Sequence, residues 1–568
     1  MRHMTHKVFG TRSMAWGAVT AACLMLGACG TVAPGADSAA AAPDSATTQA
    51  LREKVKHVVV IYAENRSFDN LYGNFPGANG LYDRQGRLKS FPRQQDRDGT
   101  VLSALPPTWG GVTMPGQDRT VTQAQSMGLP NAPFDVATAF RTSAGVTLDS
   151  RTVTRDMYHR FFENQMQIHG GANDQFVAWG DSGGLVMGYF DYSKSPLYQL
   201  AREYVLADNF FAAAFGGSFL NHQYLVCACA PEYPQADTAA AKPSIAVLDH
   251  DAQGHYLPRL STEATSPRSA MDGKPAFVKS GNLTPKGYLE AGKFHAVNTM
   301  QPPFQPSGNP PVTGGDSRLA DPERATTLPA QTATTIADLL DRRQVSWKWY
   351  AGAWDAAQED GQKPAGDKRA VIYAGDAHGV ADRSAVDFQP HHQPFNYYAA
   401  FDPASRADYR AQHLQDGADL LRDAQSGQLP AVAFYKPEGL YNQHPGYANL
   451  QDGDARIVEV VRALQQSPQW KDMVIVVTYD EFGGSWDHVA PPKGDLIGPG
   501  TRIPALIISP LAKKGTVDHT QYDTASVLRL ITRTFGLDTL QGLRMRDEAL
   551  RAHGERPMGD LTQALNLR

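Results

Sequence analysis

VIVVTYDEFGGSWDHVAPP, residues 474–492, decides how the rest of the chain is read. A run of apolar and β-branched residues ends abruptly at Tyr479, Asp480 and Glu481. Phe482, two glycines and Asp487-His488 follow. The run reads as a buried strand. Open α/β sheets bind ligands beyond the carboxyl ends of their strands, so carboxylates at that point are candidate site groups. Two adjacent carboxylates repel each other. They become tolerable when a cation lies between them or when one stays protonated.

Working outward, VKHVVVIYA, residues 55–63, has the same character: a mostly apolar run bounded by charge, as in a strand buried on both faces. It stops at Glu64-Asn65-Arg66-Ser67-Phe68-Asp69. Glu64 and Asn65 are candidate metal or phosphate groups. The structural alternative is that Asn65 and Asp69 cap the following turn. Residues 208–213 read as a strand, and Gly216-Gly217-Ser218 as a tight turn into a helix. A serine there has an exposed hydroxyl beside unpaired N–H groups that favour an anion; alternatively it is only an N-cap. Asn221 and His222 fall near the same helix end.

The same alternation covers most of the remaining chain. Ser195-Pro196 opens a helix, and Asp156 to Arg160 opens another. Residues 334–343 read as a helix, 345–351 as a strand, 408–426 as a helix and 429–435 as a strand ending in Lys436-Pro437-Glu438. Residues 453–465 form an amphipathic helix, 503–509 a strand, and 525–535 a helix capped by Asp523-Thr524. Two histidine-bearing loops, around His391-His392 and around His444, interrupt this order. Apolar strands alternating with amphipathic helices predict an α/β fold: a doubly wound, mostly parallel sheet with helices on both faces. Residues 74–150 and 232–330, rich in glycine and proline, predict irregular insertions and a smaller cap region.

Composition narrows the function. The 568 residues are 42% hydrophobic and 20% charged, with a net charge of -5. Small net charge and no Lys/Arg cluster argue against a nucleic-acid partner. At the N-terminus, Arg2, His3, Lys7 and Arg12 precede an apolar stretch over 14–25, too short to span a bilayer as a mature helix. It ends in Leu26-Gly27-Ala28-Cys29, which resembles the lipobox of bacterial lipoproteins; plain secretory cleavage near Ala28 is the alternative. Residues 1–28 are thus expected to be a signal peptide. Residues 29–50 are expected to be a flexible tether and 541–568 a C-terminal tail. Export follows, to the periplasm or outer membrane through a lipid on Cys29, or into the medium. Cys227 and Cys229 read as buried small residues, because one intervening residue strains a mutual disulfide.

Gly180-Asp181-Ser182-Gly183-Gly184 matches the G-x-S-x-G elbow of serine hydrolases. That elbow needs a strand before it and a helix after it, and neither pattern is present. The strand-end set instead offers a serine, carboxylates, an amide and several histidines. It suits phosphoryl transfer by a metal-activated serine. Oxygen donors dominate, which favours a hard or borderline ion over a thiolate-type zinc site. Histidines would bind the phosphate or protonate the leaving oxygen.

The strings AENRSFDNLYG, ADNFFAAAFGGSFLNHQY, SWKWYAG, HHQPF, NQHPG and TYDEFGGSWDHVAPP resemble the bacterial phosphoesterase family, as does RIPALIISP followed by GTVDHTQYDTASVLRLI. That family holds acid phosphatases and phosphatidylcholine-type phospholipases C, within the alkaline phosphatase superfamily. The resemblance implies a catalytic domain over 51–540 and one divalent metal ion held by Glu64, Asn65, Ser218, Asp480 and Glu481. Ser218 is then the nucleophile, forming a phosphoserine intermediate. His159, His392 and His444 contact the phosphoryl group, with His391 an alternative to His392; His488 and His222 are less firmly matched. The acid phosphatases carry Asp-Asp where this chain has Asp480-Glu481. GGSFLNHQ and SWKWYAG resemble the acid phosphatase branch, so a phosphomonoesterase is expected and a phospholipase C is the alternative. A serine hydrolase or a non-enzymatic surface lipoprotein are the remaining classes.

Overall fold

In the computed structural model, the described residues are 45–568 except 97, 115–118, 141–144, 146, 240–247, 251–255, 259, 263–274, 278–285 and 376–385. The signal peptide and Cys29 lie outside them. Residues 45–568 form one compact unit.

The core is an eight-stranded sheet. In chain order its strands are β1 (His57–Ala63), β2 (Val205–Ala207), β3 (Trp347–Ala351), β4 (Leu414–Asp416), β5 (Val432–Lys436), β6 (Met473–Tyr479), β7 (Ala505–Ile508) and β8 (Thr516–Asp518). In space they run β4-β3-β5-β1-β6-β7-β2-β8. All neighbours pair in parallel except β7, which is antiparallel to both β6 and β2. Every residue of β5 and β6 is buried. Successive strand side chains point to opposite faces, so both faces of the sheet are covered. The doubly wound, mostly parallel α/β expectation holds.

Register builds the rim of the site. Ala63 pairs with Tyr479, so Glu64 and Asp480 emerge side by side. Ile61 pairs with Tyr435, which sets Lys436 level with Tyr62.

Several boundaries differ from the sequence reading. Of the strand expected over 208–213 only Phe210–Phe211 forms, and the sheet strand β2 ends before it at Ala207, because the Asp208 carboxylate leaves the ladder to accept from Asn79 N at 2.7 Å and to meet the His519 ring. Phe210–Phe211 then pairs with Tyr522–Asp523. The single helix expected over 408–426 is broken by β4. Asp416 and Asp419 form a capping box that starts a new helix, Gly417–Ser426. Asp156 to Arg160 does not begin a helix; the helix runs Phe161–Ile168. Asp523-Thr524 supplies no side-chain cap to Ser526–Phe535. The end of the expected tether, from Ser45, is already helical in Ser45–Lys54. The expected tail is part of the body: in helix Gln541–Ala552, Arg546 is fully buried and paired with Asp495 and Asp523.

Cys227 and Cys229 are disulfide-bonded, not free. Ala228 ends the helix in the left-handed region (φ 51°, ψ 39°). That turn brings the two Cα atoms to 5.1 Å, within bridging range.

Candidate active site

Three strand ends and one helix start supply the site. The helix Ser218–Cys227 has Gly217 as N-cap and no capping side chain. Ser218 is therefore its first residue, beside N–H groups that have no intrahelical acceptor. Gly216 makes this turn possible: its φ is +76°, and a Cβ there would stand 2.3 Å from Phe161 N. Asn221 braces the turn by donating to Ala214, Gly216 and Gly217 carbonyls.

Ser218 Oγ lies 3.3 Å from Glu64 Oε2, 3.2 Å from Asn65 Oδ1 and 3.4 Å from Glu481 Oε1. These four side chains come from the ends of β1 and β6 and from the helix start, three segments far apart in sequence. Asp480 joins them through the backbone: its Oδ1 accepts from the N–H groups of Asn65 at 3.1 Å and Glu481 at 2.8 Å. Its other oxygen, Oδ2, is buried with no hydrogen-bond donor. Glu481 Oε2 accepts from Gly483 N at 2.7 Å. All five expected metal-site residues thus stand together.

The histidines ring this cluster. His392 Nε2 is 2.7 Å from Glu64 Oε1, and His444 Nε2 is 3.8 Å from Glu64 Oε2. His159 Nε2 is 3.4 Å from Asn65 Nδ2 and 3.5 Å from Glu481 Oε1. Its Nδ1 is 2.5 Å from Met157 O. A carbonyl can only accept, so Nδ1 carries the hydrogen and Nε2 presents its lone pair to the site. His444 repeats the arrangement with Pro445 O. His391 and His392 both face the site: His392 meets Glu64, while His391 lines the cavity above Ser218. His488 does not face it. Its Nδ1 meets Asp69 Oδ2 at 2.6 Å in a buried network with Arg502 and Asp487.

Sequence reasoning missed Lys436, whose ammonium contacts Glu64 Oε1. The available signal was a lysine closing a strand, VAFYK, that is otherwise uncharged. It also undervalued His222, fully buried with Nδ1 donating to Ser218 O at 2.8 Å and lying 3.8 Å from Asp480 Oδ2.

Charge is unbalanced here: three buried carboxylates face one ammonium. Burial would raise the Glu64 carboxyl, but Lys436 and His392 outweigh it and hold Glu64 well below the usual range. Burial and the Glu64 charge push Asp480 up to about 7. Burial and Asp480 push Glu481 well above its ordinary value. Burial holds His159 and His444 below the ordinary imidazole value. Burial and then Lys436 lower His392 to about 4. A divalent cation fits this set. The donors are oxygens of Glu64, Asn65, Ser218, Asp480 and Glu481, one of them orphaned, and the local charge is short of positive.

A cavity of about 700 Å³ opens from Ser218 to the surface. Met157, Tyr158, Phe219, Val297 and Tyr447 give it apolar walls, and Asp156, Asp181 and Arg160 charge them. Val297 and Thr326 come from the segment expected to cap the site. Ser182 is not in this site. It is fully buried, and its hydroxyl donates to Asp181 Oδ1 at 2.9 Å.

A model of the Phosphoesterase family matches residues 55–538. The chain belongs to that family. Phospholipase C A of Mycobacterium tuberculosis is 23% identical over 549 residues, covering 90% of this chain and 77% of that protein. Phospholipase C B of the same species is 30% identical over 173 residues, covering 26% of this chain and 32% of that protein. The match thus spans about a third of that relative's length. A solved structure of a protein in the alkaline phosphatase superfamily from Vibrio parahaemolyticus aligns at 12% identity with a TM-score of 0.28. That alignment covers 64% of this chain and 65% of the other.

Proposed function

We propose that this chain hydrolyses phosphoric esters, with Ser218 as nucleophile and a phosphoserine intermediate. The observation that carries this reading is the meeting of Ser218 Oγ with Glu64 Oε2, Asn65 Oδ1 and Glu481 Oε1 at the inner end of one cavity. Glu64, Asn65, Ser218, Asp480 and Glu481 would hold one divalent ion. When bound, it lowers the pKa of the serine hydroxyl and neutralises phosphate charge.

The remaining roles belong to the chain itself. The helix start at Ser218 points free N–H groups and a positive dipole end toward a phosphoryl oxygen. The carboxylates beside Ser218 accept its proton as Oγ attacks phosphorus. His159 presents its Nε2 lone pair 3.5 Å from Glu481 Oε1 and takes up that proton, then delivers it to the leaving oxygen; His444 presents a second Nε2 acceptor that can do the same. A water then attacks the phosphoserine and releases phosphate.

The finer reading is an acid phosphatase acting on phosphomonoesters, supported by the resemblance of GGSFLNHQ and SWKWYAG to that branch. A second reading, phospholipase C, is favoured by the relatives matched and by the apolar walls of the cavity. We also propose that Leu26 to Cys29 is a lipobox and that acylated Cys29 anchors the protein outside the cytoplasm.

The deciding comparison uses p-nitrophenyl phosphate and p-nitrophenylphosphorylcholine, with metal content measured on the same sample. Ser218→Ala is expected to lower turnover by about four to six orders of magnitude with the fold intact. Substantial residual turnover in that variant would sink the serine mechanism. Faster turnover of the choline ester than of the monoester would replace the phosphatase reading with the phospholipase one.

A further inference from the structure

Lys436 carries a charge at the strand-end rim that the serine mechanism leaves unused. It is the last residue of β5 and is fully buried. Its ammonium contacts Glu64 Oε1 and stands 5.3 Å from the centre of the Tyr62 ring. Among the described residues no hydrogen-bond acceptor beyond that carboxylate reaches it. A buried ammonium is costly, and a single carboxylate is a thin compensation. Such a group is retained for what its charge does.

The groups around it are those of a metal site. Glu64, His391 and His392 each offer a ligand atom, all within 4.8 Å of one another; Glu64, His222 and Asp480 do the same. His392 Nε2 lies 2.7 Å from Glu64 Oε1, the oxygen that Lys436 also holds. His222 is fully buried, and its Nε2 has no hydrogen-bond partner; nor does His391 Nδ1. One carboxylate with two imidazoles is a donor set for a borderline ion such as Zn²⁺. Glu64 therefore faces two ways. Oε2 turns to Ser218 and the proposed metal set, while Oε1 turns to the imidazoles.

We infer that Lys436 is a fixed cation standing in place of a second metal ion at Glu64, His391 and His392. It saturates Glu64 Oε1 and leaves Oε2 to the ion shared with Asn65, Ser218, Asp480 and Glu481. It also keeps His391 and His392 off a second ion, leaving His392 on Glu64 and His391 open to a phosphoryl oxygen in the cavity. The chain then needs one exchangeable ion where its donors could hold two. The inference rests on the proposed metal reading of the oxygen cluster.

The test is metal stoichiometry. Wild type, Lys436→Met, Lys436→Gln and the double variant Lys436→Met/His392→Ala are stripped with chelator and dialysed against excess Zn²⁺. Bound ions per chain are counted by inductively coupled plasma mass spectrometry, with circular dichroism and tryptophan fluorescence as fold checks. The expected counts are one for wild type, two for either single variant that folds, and one again for the double variant. A wild type holding two ions overturns the inference, and so does a folded single variant holding one. A double variant that keeps two ions assigns the extra ion elsewhere and overturns it as well. A wild type holding none fails the metal reading itself, a result distinct from the others.

Discussion

Arg502→Met tests what holds the loop that carries Asp480 and Glu481. Arg502 is fully buried. It donates to Asp487 Oδ1 at 2.9 Å, Asp69 Oδ1 at 3.0 Å, Asn79 O at 2.9 Å and Asp208 O at 2.8 Å. Asp487 in turn accepts from Asp69 N at 2.9 Å, tying the loop after β6 to the helix Phe68–Tyr72 after β1. Methionine fills much of the volume and removes the charge. It leaves Asp69 with His488 and Asp487 with no cation. Removing one partner of a buried charge set costs about 3–5 kcal/mol. Because unfolding entropy scales with length, at about 2 cal/mol/K per residue over roughly 500 residues, that loss shifts Tm by only about 3–5 °C. Urea unfolding followed by tryptophan fluorescence is the better assay, on metal-free protein.

The deficit should also depend on pH. Burial pushes Asp487 up to about 6 even though Arg502 pulls it down, so without Arg502 it rises further. A carboxyl raised in the folded state incurs no penalty below its unfolded pKa and its full penalty above its folded one. The variant's deficit is therefore expected to be small near pH 5 and largest near pH 8. A loss below about 1 kcal/mol at the higher pH, or an equal loss at both, would refute the claim that this ion network anchors the loop carrying Asp480 and Glu481.

Three further outcomes follow from the same structure. Asp454 is buried among Tyr192, Ser195 and Gln443, and burial pushes its carboxyl up to about 7. Stability on its account should fall by up to ~4 kcal/mol as pH rises from about 4 to 7, and Asp454→Asn should flatten that slope in denaturant titrations; an unchanged slope counts against it. Replacing Cys227 and Cys229 by serine opens a three-residue loop, for which loop entropy predicts a loss of about 1–2 kcal/mol. A loss much above that in urea unfolding would mean the bridge does more than restrict the unfolded chain. Ser182→Ala should keep p-nitrophenyl phosphate turnover within about twofold, since its buried hydroxyl bonds Asp181 and Asp156 O and none of Ser218, Glu64, Asp480 or Glu481; loss of activity would revive the elbow reading.

The strands were legible because runs such as HVVVIYA and MVIVVTY admit little else; Glu64-Asn65, Ser218, His444 and Asp480-Glu481 were legible as polar groups clustering where such runs stop, whereas the candidate roles of His159 and His392 rested on the family resemblance. What failed was local competition. A capping box at Asp416 and Asp419 splits a stretch that has helical periodicity throughout. Asp208 abandons the ladder for a loop amide. The disulfide depended on a left-handed Ala228, which no spacing rule announces. Lys436 was hidden for another reason: its partner is set by strand register, and register is not written within any single strand.

The backbone at Asn65 explains a pairing that strand geometry alone would forbid. In an extended strand, consecutive side chains point to opposite faces, so Glu64 and Asn65 should diverge. Both nevertheless reach Ser218 Oγ, at 3.3 and 3.2 Å. The chain manages this by leaving the β region at Asn65, whose φ is +50°. Asparagine tolerates that left-handed conformation better than most residues with a side chain. The turn also brings Asn65 O so close to Gly483 that a Cβ there would stand 2.3 Å away. The glycine of the DEFGG segment and the asparagine of the AEN segment are thus two halves of one device. One turns the first strand end back into the site, and the other lets the neighbouring strand end lie against it. Asn65 is consequently held to its position twice, by its amide oxygen and by its backbone. A substitution that keeps an oxygen donor but resists positive φ, such as Asn65→Thr, should cost more in metal content than Asn65→Asp, and the two variants compared by metal analysis separate the backbone role from the donor role.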